Sequence, residues 1–165
     1  MEDFDRSVLP RPLSARAPMF ACVVARLMVG AVFLRAGLGK LEQGFGVNQG
    51  ARKFIESSLA QGTPYKFFRG FLEHTVLPHV QLFSYLVMFG ELMVGVCLLL
   101  GLLSRWASFV GLLIMLSIGA TAGMGIEPAS TLAFALLFFV IGATDAGRVA
   151  GLDGWLRKKP TAISD

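Results

Sequence analysis

Glu91 is an acid in the wrong solvent. It lies in 85-YLVMFGELMVGVCLLLGLL-103, where the only other polar side chains after Gln81 are Ser84 and Tyr85, besides the thiol of Cys97. An uncompensated charge at mid-bilayer costs about 2.5–3.5 kcal/mol on insertion scales. The carboxylate therefore needs a cation, a proton or water. A buried carboxyl that holds a proton is suited to relaying it, because desolvation disfavours the charged form.

A second apolar run, 26-RLMVGAVFLRAGLGKL-41, supplies cations. Measured from the segment ends at 1.5 Å per residue, Glu91 is about 18 Å deep, Arg26 about 12 Å and Arg35 about 25 Å. Arg26 and Arg35 point to opposite sides of a straight helix, so at most one of them meets Glu91. Arg26 shares its face with Cys22, Gly30, Phe33, Gly37 and Lys40, and Glu91 shares its face with Ser84, Met88 and Gly95. Glycines on both faces let two membrane helices approach closely. The expectation is an Arg26–Glu91 pair, with Arg35 snorkelling outward or meeting another helix. The pair either fixes helix register or relays a proton, and the residues leave both open.

Other chemistry is poorly served. His74 and His79 are not on facing helices at matched depth, which is poor geometry for a haem held by two histidines. Cys22 and Cys97 read as inert buried thiols. There is no CxxC, Walker loop or dinucleotide fingerprint. No metal site and no cofactor held by a recognisable motif are expected.

The elements that must position these groups follow from the composition. Of 165 residues, 55% are hydrophobic and 16% charged, against roughly 25% charged in a soluble domain; the mean hydropathy is +0.66. The apolar residues gather into runs that can cross a bilayer, which takes about 20 residues of helix. The expected spans are 18–41, 79–103, 106–124 and 128–147, the last having the shortest apolar core. The fold class is thus an all-α membrane protein, a single four-transmembrane-helix bundle. The polar, Arg-bearing first seventeen residues do not read as a removable signal peptide.

The formal net charge is +4, and its placement speaks for topology, not for nucleic acid. Arg6, Arg11 and Arg16 precede the first span, Arg105 sits between the second and third, and Arg148, Arg157, Lys158 and Lys159 follow the fourth. By the positive-inside rule the N- and C-termini are cytoplasmic. The tail 148–165 contains 148-RVAGLDGWLRKKP-160, which reads as a short interfacial helix with Trp155 at headgroup depth.

The outer region 44–78 is too long for a turn. It reads as two amphipathic interfacial helices. One is in 48-NQGARKFIESSLAQG-62, with Ala51, Phe54, Ile55, Ser58 and Leu59 on one face. The other follows the Thr63-Pro64 cap and carries Phe67, Phe68, Phe71 and Leu72 before stopping at Pro78. Arg52, Lys53, Lys66 and Arg69 on these helices could attract an anionic donor.

Three stretches together resemble the DoxX/DoxD family, which includes membrane subunits of thiosulfate:quinone oxidoreductases. They are 26-RLMVGAVFLRAGLGKL-41, 91-ELMVGVCLLLGLLSRWAS-108 and 147-GRVAGLDGWL-156. The resemblance implies a four-helix bundle of the bacterial inner membrane and a link to quinone-dependent oxidation of sulfur compounds or to oxidative-stress complexes. The positions that match its motif residues are Arg26, Lys40, Glu91 and Arg105. With the reading of the residues this makes Glu91 and Arg26 the candidate catalytic pair, and Lys40, Arg105, Arg52 and Lys53 the candidate substrate- or quinone-binding residues. The expected partners are the lipid bilayer and other membrane or peripheral subunits, with a quinone as diffusible substrate. An accessory subunit with no chemistry of its own, packing through Gly119 and Gly123, is the main alternative, and a small-solute carrier is the third.

Overall fold

The computed structural model describes residues 17–47, 49–61, 65–122, 128–144 and 151–153. The expected Thr63-Pro64 cap, Glu127, Gly123, the N-terminal cations Arg6, Arg11 and Arg16, and the tail from Arg148 apart from 151–153 lie outside these residues. Every described element is helical: α1 (Ala17–Glu42), α2 (Gly50–Ala60), α3 (Lys66–Phe71, continuing as a π-helical turn over Leu72–Val76), α4 (Val80–Leu100), α5 (Ser104–Ala122) and α6 (Pro128–Ala143).

Among the described residues, α1, α4 and α5 are long and apolar enough to cross a membrane. The fourth apolar helix is shorter than the expected 128–147. It has 16 residues and ends where the Thr144 hydroxyl turns back onto the carbonyl of Val140. Sixteen residues span about 24 Å.

Helix α1 packs along α4, α4 on α5, α5 on α6 and α6 back on α1. Two glycines set how closely α1 and α4 approach. A Cβ on Gly95 would lie 2.7 Å from the Cα of Leu34, and one on Gly37 would lie 2.9 Å from the amide of Leu92. Such backbone proximity is possible only without a side chain. Gly30 facing Leu99 continues the same antiparallel register.

The core is built from all four helices: Val29 and Phe33, Val94 and Leu98, Ala107, and Phe138 and Ile141. Phe33 meets Phe138 edge-on, with ring centroids 4.8 Å apart. The outer surface of the bundle carries large apolar side chains instead, including Met28, Leu86, Phe89, Phe109 and Phe139. Polar Ser84, Ser104, Ser108, Thr121, Arg26 and Glu91 are inside. That distribution suits a protein whose lateral solvent is hydrocarbon.

Two ends can be told apart. At one, which we call the loop end, α2 and α3 pack on the start of α4: Ile55, Leu72 and Val76 form a small core with Phe68, Val80 and Phe83. The Arg52 guanidinium closes it by donating to the Leu77 carbonyl at 3.3 Å. At the other, the hairpin end, α4 turns into α5 through Gly101 (φ 64°) and Leu103 (φ 50°).

Candidate functional site

Glu91 is buried in the middle of α4, and the cation that meets it is Lys40. The ammonium donates to both carboxylate oxygens, at 2.6 and 2.5 Å. Sequence-based depth pairs Glu91 with Arg26, and the structure corrects this. The helix face was right, because Lys40 and Arg26 lie on the same side of α1. The level was wrong. Aligning the segment ends sets Arg26 near Glu91, whereas the register fixed by Gly30, Gly37 and Gly95 sets Leu38 opposite Glu91. Arg26 is twelve residues further along, about 18 Å away.

Lys40 is positioned by the end of its helix. Gly44 has φ 61°, and the amide of Phe45 returns to the Lys40 carbonyl at 2.9 Å, which closes the helix with a left-handed glycine. The turn brings the Phe45 ring to 5.7 Å from the Lys40 ammonium, within cation–π range.

Glu91 also lines a pocket of about 240 Å³ inside the bundle. Its walls are Val32, Phe33 and Ala36 from α1, Met115 and Ile118 from α5, and Phe134 from α6, with Ser130 and Thr131 at one edge. Val32 is 47% exposed, so the pocket reaches the lipid-facing surface. One acid in an apolar recess, held by a cation on its far side, can accept a hydrogen bond or a proton from a ligand.

Arg26 belongs to a different site, a clasp at the hairpin end. It is 2% exposed and lies against Gly101, where an added Cβ would come within 2.7 Å of its Nη1 and 2.6 Å of the Gly151 Cα. Asp153 is the carboxylate whose charge acts on it. The same carboxylate accepts from the amides of Leu103 at 2.8 Å and Ser104 at 3.0 Å, capping the start of α5 where helical N–H groups have no partner. The Asp153 amide in turn donates to the Gly101 carbonyl at 3.0 Å.

The remaining candidates stand apart from the pocket. Arg105 is exposed in the first turn of α5, Lys53 is exposed on α2, and Arg35 is on the exposed side of α1. Arg52 donates to Glu56 and to the Leu77 carbonyl and lines a separate outer groove with Phe45, Gln49, His79 and Gln81. The imidazoles of His74 and His79 each bond a carbonyl four residues back in their own segment. The pocket walls on α5 and α6 were not foreseen, since apolar residues at helical spacing carry no signal of which neighbour they face. Asp153 was visible only as part of a motif.

The DoxX family pattern matches residues 21–124, from early α1 to just beyond α5, so it takes in Lys40, Glu91 and Arg26 and stops short of α6 and Asp153. No curated protein and no solved structure matches the chain.

Proposed function

The chain belongs to the DoxX family, and on that premise we propose that this membrane protein is the integral subunit of a quinone-linked redox complex. In this reading the quinone ring enters the Glu91 pocket against Phe33 and Phe134, and Glu91 exchanges the proton that quinone chemistry requires. The observation that carries it is a single one: Glu91, paired with Lys40, lines an apolar pocket open toward lipid. The pocket's size favours a headgroup alone, since sites for whole drug-sized ligands begin at about 300 Å³. The isoprenoid tail would leave past Val32 into the bilayer.

Four spans, with α6 the shortest, and both termini in the cytoplasm of an inner membrane complete the proposal. Helices α2 and α3 then lie at the opposite interface, where exposed Tyr65 and Phe67 beside Lys66 and Arg69 fit headgroup depth. A sulfur-containing anion such as thiosulfate would be oxidised by partner subunits. The cations Arg52, Lys53, Lys66 and Arg69 would raise its local concentration.

Photolabelling with an azido-benzoquinone in native membranes tests this. Label on Phe33, Phe134 or Met115, displaced by excess unlabelled quinone, is the expected result. Label spread over the lipid-facing residues and indifferent to competition contradicts it.

The clasp favours a second reading, an accessory subunit. Arg26, Gly101 and Asp153, one from each of the three family-like stretches, form a contact with an architectural role and no reacting group. Under it, Glu91→Gln lowers only the yield of assembled complex. Under the first, turnover per assembled complex falls.

A further inference from the structure

We infer that Glu91 exchanges protons only with water at the loop end of the bundle, and that Lys40 is the group that passes them. This deepens the reading of Glu91 as a proton-exchanging group and does not depend on what occupies the pocket.

Exposure rises along the pair in one direction. The Glu91 side chain is 3% exposed and that of Lys40 is 24%. Beyond Lys40 lies Phe45, which forms one wall of the outer groove of about 520 Å³ with Gln49, Arg52, His79 and Gln81. Lys40 itself sits in the last turn of α1, at the loop end, so a proton leaving its part-exposed ammonium emerges on that side.

The opposite direction is closed. Between Glu91 and the clasp the interior is filled by Val29, Phe33, Val94, Leu98, Phe138 and Ile141, all at 3% exposure or less. None of these six can hold a proton; the thiols of Cys22 and Cys97 pack against the same layer, and the hydroxyls of Ser104 and Ser108 are buried toward the hairpin end. Helices α5 and α6 face Glu91 with Met115, Ile118, Ser130, Thr131 and Phe134, of which only the hydroxyls of Ser130 and Thr131 are polar, and no described residue of either helix brings a charged group there. On α1 the second cation, Arg35, is exposed. On α4, Tyr85 stacks on Phe89 on the exposed side of the helix. Lys40 is the only charged group among the described residues in contact with the acid.

The transfer balances without any further reagent. When Glu91 takes up a proton, the pair becomes a neutral acid beside an ammonium. The ammonium gives one proton to water at the loop end, and the resulting amine takes the proton from the acid. Carboxylate and ammonium are restored, and one proton has moved from the buried site to loop-end water. Arginine could keep the ion pair but not carry the proton, because its guanidinium stays protonated.

The test uses the full chain in vesicles of uniform orientation, with pH set separately on the two faces. A hydrophobic carbodiimide modifies protonated carboxyls, and mass spectrometry reads the modification of Glu91; Glu91→Gln identifies the labelled peptide. Labelling is expected to rise by up to about tenfold per pH unit as the loop face is acidified, and not to respond to the hairpin face. Lys40→Arg is expected to slow labelling at least about fivefold at the same loop-face pH, with helicity unchanged. A response to the hairpin face, or Lys40→Arg labelling at the wild-type rate, overturns the inference. If Lys40→Arg does not fold, the sidedness of the wild-type response decides alone. No quinone is present, so one-sided labelling in a protein that binds no quinone would remove the redox reading and leave this one standing.

Discussion

One helix, α1, carries a cation site toward each end, one buried and one part exposed, and the two are built differently. Near the hairpin end, Arg26 is enclosed among backbone groups and Asp153, whose carboxylate is also committed to two amides of the 101–104 turn. Near the loop end, Lys40 holds Glu91 beside a pocket and is itself part exposed. A charge in a membrane helix is a functional candidate by default, yet among the described residues Glu91 lines a pocket while Arg26 is packed against Gly101. What separates them is the space left around the charge.

The comparison can be broken at its base by parting α1 from α4. Gly95→Leu drives a side chain into the Leu34 backbone, and overpacking of this kind costs up to about 3 kcal/mol. Both sites should fail together, seen as a large fall in the thermal midpoint in detergent and loss of quinone binding. A variant of wild-type stability would mean the close approach is not what sets the register.

The clasp comes next. Asp153→Ala removes a two-amide cap and the charge acting on Arg26, and is expected to cost about 2–3 kcal/mol. The thermal midpoint should fall while the pocket retains its ligand. Loss of binding at unchanged stability would reverse the roles given to the two ends.

At the loop end the sizes invert. Glu91→Gln leaves Lys40 partly exposed and able to extend to water, so the stability loss is expected to be about 1 kcal/mol or less, against a large loss of ligand binding. Denaturant titration beside a binding assay separates the two. Arg105→Ala, on the exposed first turn of α5, should change neither, and any drop in turnover there would restore Arg105 as a binding residue.

How much of this was legible in the sequence depends on the length scale of each signal. The long runs announced α1, α4 and α5, and the fixed 3.6-residue period put Arg26, Gly37 and Lys40 on one face. Level is harder to read than face. It depends on where one helix slides along another, and that was decided by a contact between Gly95 and Leu34, not by where the apolar segments end. The Arg26–Glu91 pairing failed for that reason alone. Asp153 could not have been assigned as a cap, because it reaches α5 from about fifty residues further along the chain.

The π-helical turn at Leu72–Val76 was equally hidden. Leu72 and Val76 within it pack with Ile55 of α2.

The account rests on the loop-end acid being a ligand site and the hairpin-end acid being structural. Its most direct test is calorimetric titration of a short-tailed benzoquinone into Glu91→Gln and Asp153→Asn, beside the unaltered protein. The prediction is at least about a tenfold loss of affinity in Glu91→Gln, of order 1.4 kcal/mol, and unchanged affinity in folded Asp153→Asn. Equal weakening in both, or none in Glu91→Gln, would contradict it.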